Sequence, residues 1–124
     1  DLTVLVPAND LDALEKSFAA HAADGGIAAV ICEPMGGESG LVPFAEGFHA
    51  AAIQVAHSHG ALYIFDEVVT GLRMGLGGAQ AALGVSPDLT TLGKALMNGW
   101  PGWRHSCLSP SPARERFLPS SPIS

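Results

Sequence analysis

The sequence predicts an α/β fold built on a mostly parallel sheet with flanking helices. Three observations carry that expectation: short apolar runs alternate with stretches of helical periodicity, glycine and proline punctuate the joins, and the clearest runs stop at charged side chains. Thr3 to Val6 reads as a short strand closed by Pro7. Asn9 or Asp10 then caps a helix in which Leu11, Leu14, Phe18 and Ala22 recur at helical spacing. Ile27 to Cys32 is a continuous apolar run after Gly25-Gly26, as expected of a strand buried on both faces. A glycine-rich loop follows from Met35 to Gly40. From Glu46 to His59, residues Phe48, Ala51, Ala52, Val55 and Ala56 share one helical face, and Gly60 is placed to end the helix in the left-handed conformation. Ala61 to Phe65 is the next apolar run. The loop from Gly71 to Gly78 leads to a short helix over Ala79 to Leu83, stopped by Gly84, and Leu89 to Leu92 forms a last short strand.

Composition narrows the function. The 124 residues are 48% hydrophobic, which suits a single packed domain at most. A formal charge of -6 with six Lys plus Arg, none clustered, argues against a nucleic-acid surface, because phosphate binding needs grouped cations. Cys32 and Cys107 are too few for a disulfide framework, and Cys32 reads as a small core hydrophobe, so a reducing cytoplasm is the expected compartment. No apolar stretch has the length of a membrane span, and the first residues do not read as a signal peptide, so the chain reads as an internal fragment. No Cys/His set has zinc-ligand spacing, and no metal is expected. His57 and His59 close a helix, where positive character is mildly favoured.

The charges sit where chemistry collects in such sheets. Side chains at the carboxyl ends of parallel strands face a common crevice, and three strand candidates here end at Glu33, Asp66 and Lys94. Charges also end strands merely because they avoid burial, so any one of them alone is weak; three, of both signs, favour a site.

At these residues the sequence resembles a known family. Leu62-Tyr-Ile-Phe-Asp-Glu-Val-Val-Thr-Gly-Leu-Arg73, Gly77-Gly-Ala-Gln80 and Pro87-Asp-Leu-Thr-Thr-Leu-Gly-Lys94 resemble the cofactor-binding signature of class III aminotransferases, especially the glutamate-1-semialdehyde aminomutase branch. Glu33-Pro-Met-Gly-Gly-Glu-Ser-Gly40 resembles the glutamate-proline loop of the same family, and the likeness extends over about the first hundred residues.

The resemblance implies the large domain of a fold type I transferase that uses pyridoxal 5'-phosphate. It makes Lys94 the lysine that holds the cofactor as a Schiff base, and Asp66 the partner of the pyridine nitrogen. A carboxylate there favours the protonated ring, which accepts charge best. Val68 would press on a face of the ring. Glu33 and Glu38 would shape the substrate side, a glutamate at Glu38 being similar to that of ω-amino acid transaminases. Small amines or amino acids and carbonyl compounds are the implied substrates, and a homodimer is implied for the full-length parent. Amino transfer between two molecules is the expected reaction, with aminomutase chemistry within one molecule as the alternative. The competing reading is a non-catalytic, flavodoxin-like α/β module in which these charges are strand-end punctuation.

The end of the chain departs from the pattern. From Gly102 onward Trp, Arg, Ser and Pro follow without periodicity, so residues 1–101 are expected to form part of the cofactor-binding domain. Residues 102–124 are expected to be an aberrant or disordered tail that does not pack, consistent with a frameshift near Pro101.

Overall fold

A computed structural model describes residues 2–36 and 43–96, together with the backbone of 105–108. Asp10 opens helix α1 (Leu11–His21), its carboxylate accepting the Ala13 amide hydrogen at 2.8 Å and so satisfying a donor left free at a helix start. Leu14 and Phe18 are the buried residues of its inner stripe. Helix α2 (Phe48–Ser58) buries Ala52 and Ala56, and Gly60, at φ 75°, turns the chain out of it as expected. A third helix, α3 (Gly78–Leu83), ends at Gly84, at φ 66°.

Four strands form one sheet in the order β1-β2-β3-β4. Strands β1 (Ala29–Cys32), β2 (Leu62–Glu67) and β3 (Leu89–Leu92) run parallel, and β4 (His105–Leu108) lies antiparallel on β3. The core is made by α1 and α2 against β2: Leu14, Phe18, Ala52, Ala56, Ala61, Tyr63 and Phe65.

Strand alternation divides the sheet into two unlike faces. Tyr63, Phe65 and Glu67 are buried on the helix-covered side, whereas Leu62, Ile64 and Asp66 are only half-buried on the other. Ile31, which pairs with Ile64, is 59% exposed. The expectation that this strand is buried on both faces is therefore incorrect for the described residues. Its inner face meets the core, but no described helix covers Ile31.

Two further expectations differ. Thr3–Val6 forms no strand; it pairs with none of the described strands, and Leu5 within it and neighbouring Leu2 are exposed. Sequence periodicity reports what a segment can do, not whether a neighbour is there to pair with it. Within the tail expected not to pack, His105–Leu108 pairs with β3, Leu92 opposite His105; the rest of 102–124 lies outside the described residues.

Candidate active site

Asp66 and Glu67 are adjacent carboxylates at the end of β2, and the pleat sends them to opposite faces. Glu67 is fully buried and saturated. Its carboxylate accepts from the Ala79 amide (2.6 Å), the Gln80 amide (3.1 Å), the Gln80 side chain (3.1 Å) and the Thr70 hydroxyl (3.2 Å). It thereby caps the first turn of α3 from another element, which the sequence reading did not anticipate. The helix start lies so close that a Cβ on Gly78, at φ 64°, would collide with the carboxylate.

Asp66 is held differently. Its Oδ1 accepts from the Val68 amide at 3.0 Å and from the Thr91 hydroxyl at 2.9 Å, Thr91 being its register partner on β3. Both anchors fall on one oxygen, and among the described residues nothing donates to Oδ2. The result is a carboxylate fixed in orientation with one oxygen open to a further donor.

Three residues beyond Thr91, Lys94 begins a 3-10 turn (Lys94–Leu96), closed by the Leu96 amide on the Gly93 carbonyl at 3.0 Å. Its side chain is exposed, and its backbone has a φ of 36°, uncommon for a residue with a side chain. Such a conformation persists where the surroundings over-determine it. Val68 packs beside this turn: a Cβ on Gly93 would stand 3.3 Å from Val68 Cγ1. Asp66, Val68 and Lys94 thus come from the same end of two hydrogen-bonded parallel strands. Glu33 is half-buried where β1 ends, one step past the Cys32–Phe65 pair, which sets it level with Asp66. Glu38 lies outside the described residues.

Other groups escaped the sequence reading. His49 is 5% exposed beneath the turn that follows β1. Its Nε2 lies 2.7 Å from the Pro34 carbonyl, and its Nδ1 lies 3.1 Å from the Tyr63 hydroxyl, which is 3.2 Å from Cys32 Sγ. Burial lowers the His49 pKa, opposed by the Pro34 hydrogen bond, and burial raises both Cys32 and Tyr63. Cys32 is therefore a member of a polar chain as well as a small side chain at the core's edge. His57 bonds Asp88 at 2.8 Å, and His59 bonds Glu15 at 2.7 Å while stacking on Phe18, so both histidines do more than end a helix. Asp88 also accepts the Tyr63 amide at 2.7 Å, joining the approach of β3 to β2. A histidine inside an otherwise apolar helix face was the available signal for His49. Its partners, 14 and 15 residues away, were not visible in local spacing. No group of three or more His, Cys, Asp or Glu among the described residues has metal-binding geometry.

The sheet presents an anchored carboxylate and a lysine-bearing turn at neighbouring ends of parallel strands, the place where α/β sheets collect ligand chemistry. The sequence pattern of the family Aminotransferase class-III matches residues 3–109, and the chain belongs to that family. A glutamate-1-semialdehyde 2,1-aminomutase from Ignicoccus hospitalis is 52% identical over 100 residues, covering 81% of this chain and 23% of its own length. The enzyme of the same name from Thermomicrobium roseum is 50% identical over 125 residues, covering 98% of this chain and 27% of its own. Among solved structures, a Lys-to-Ala variant of a glutamate-1-semialdehyde aminomutase from Pseudomonas aeruginosa PAO1, in complex with PMP, superposes with a TM-score of 0.75. That protein is 37% identical, over 98% of this chain and 27% of its own. The chain spans about a quarter of the length of the curated relatives it matches.

Proposed function

We propose that this chain supplies the catalytic floor of a pyridoxal 5'-phosphate enzyme that moves amino groups, with Lys94 as the cofactor-bonding amine and Asp66 as the partner of the ring nitrogen. The observation that carries the reading is the one-sided anchoring of Asp66: Val68 and Thr91 fix Oδ1, so Oδ2 is turned to a donor that these residues do not supply. A protonated pyridine nitrogen is such a donor, and the residues fit the group on that ground. Bound there, the cofactor supplies an electron sink for charge developing on a substrate carbon.

The chain's own residues divide the remaining work. Asp66 keeps the proton on the ring nitrogen by charge-assisted hydrogen bonding. Lys94 Nζ would hold the cofactor covalently and, when released from it, would be free to carry a proton to and from the substrate carbon. Val68, stiff at its branched Cβ and packed beside Gly93, would press on one face of the ring. Glu33, and Glu38 outside the described residues, would shape the substrate side. Residues 1–101 would belong to the cofactor domain, within a longer homodimeric subunit. A cytoplasmic location agrees with the free thiol of Cys32.

The decisive test uses the protein that carries this chain. Borohydride reduction should fix the cofactor to Lys94 in a mapped peptide, and Lys94→Ala should abolish that adduct and reduce turnover by at least about a thousandfold. Trapping on another lysine would end the proposal. Asp66→Asn should leave the adduct in place while lowering kcat by about a hundredfold, read from steady-state rates.

A second reading concerns the direction of transfer. Relatives at 50% and 52% identity carry the name glutamate-1-semialdehyde 2,1-aminomutase, which favours transfer within one molecule over transfer between two. Glutamate 1-semialdehyde given without any other amino donor or acceptor separates them: an aminomutase turns it over continuously, whereas a two-substrate transaminase does not.

A further inference from the structure

The polar chain beneath the Glu33–Gly36 turn fixes the tautomer of a neutral His49, whose Nδ1 faces both the Tyr63 hydroxyl at 3.1 Å and, more distantly, Cys32 Sγ at 3.9 Å. The Pro34 carbonyl can only accept, so His49 Nε2 carries the hydrogen and donates to it at 2.7 Å. A neutral imidazole then leaves Nδ1 as an acceptor, and the Tyr63 hydroxyl donates to it at 3.1 Å. The Tyr63 oxygen is left to accept, and the Cys32 thiol stands 3.2 Å away to donate. Phe44 and Phe65 meet the imidazole edge-on, at 4.5 and 4.9 Å between ring centres, and close the site to water. Few partners can therefore replace these.

The acceptor at the end of this chain is well placed. Pro34 occupies the second position of a β-turn closed by the Gly36 amide on the Glu33 carbonyl at 3.2 Å, with Gly36 at φ 95°. The turn leaves the carboxyl end of β1 level with Asp66. We infer that His49 is a positioning residue: the acceptor-only Pro34 carbonyl fixes its Nε2–H tautomer, the Tyr63 hydroxyl holds the ring by meeting Nδ1, and the Nε2 hydrogen pins the Pro34 carbonyl so that the Glu33 turn is held at the substrate side of the site. The functional half rests on the cofactor-site reading above; the structural half does not.

Three variants of the protein that carries this chain test it. His49→Leu keeps apolar bulk but has no donor, Tyr63→Phe deletes only the hydroxyl that holds Nδ1, and His49→Gln restores an N–H within reach of Pro34. Amide hydrogen exchange in the peptide spanning Glu33 to Gly36 should accelerate about fivefold in His49→Leu, less in Tyr63→Phe, and return toward the parent rate in His49→Gln. Substrate KM should follow the same order while kcat stays within about twofold, because the chain orients substrate and does not touch the reacting atoms. Parent-like exchange and KM in both His49→Leu and Tyr63→Phe overturn the inference, as does equal loss in His49→Gln, which would signify packing alone. If His49→Leu does not fold, Tyr63→Phe against His49→Gln decides it. Exchange is read without cofactor chemistry, so changed exchange alongside cofactor trapped elsewhere would discard the Lys94 reading and keep this one.

Discussion

At the scale of single residues, the two acids at the end of β2 show how a strand assigns chemistry by parity. Glu67 spends both oxygens on donors of α3 and on Thr70 in the turn that follows β2, while Asp66 spends only Oδ1. The sequence singled out Asp66 as a strand-end acid and left Glu67 as mere punctuation, because the amides that anchor it lie 12 and 13 residues downstream. Glu67→Ala should cost about 3 kcal/mol of unfolding free energy, read from denaturant titration, since buried amides lose their acceptor. His49 gives a pH signature. Burial holds its pKa below the ordinary 6.5, so the unfolded chain takes up the proton first as pH falls. Its contribution is fully present above about pH 6.5 and is lost as pH drops from there toward the lowered value of the folded ring. The difference in stability between the parent and His49→Leu should therefore shrink in acid; a constant difference from pH 8 to 5 would contradict it. Cys32 and Tyr63, the titratable groups facing the ring, stay neutral through that range because burial raises both.

Among elements, local punctuation was the most readable feature and tertiary company the least. Asp10 as a cap, Gly60 and Gly84 as stops, and β3 over Leu89–Leu92 all follow from rules that act within a few residues. Thr3–Val6 fails as a strand because such a run needs a partner along its edge, and periodicity alone cannot supply one. Asp10→Ala should cost about 1 kcal/mol by removing the bond to the Ala13 amide. Gly78→Ala should cost more, about 2 kcal/mol or above, because it combines a left-handed backbone with a collision against Glu67. Urea midpoints of the two variants in the protein that carries this chain rank them directly.

For the whole molecule, one face of the sheet sets the behaviour. Ile31 on that face is 59% exposed, and Leu76 in the loop before α3 is 97% exposed. Expressed by itself, the chain should bind a hydrophobic dye and unfold broadly below about 45 °C; a sharp transition well above that would show that this unit needs no cover. The opposed acids carry a sharper consequence. Shifting β2 by a single position, through a one-residue insertion or deletion ahead of Tyr63, would exchange the two carboxylates between faces. The α3 cap and the open Oδ2 would be lost in the same event, so a misthreaded β2 forfeits the buried anchor of Glu67 together with the orientation of Asp66.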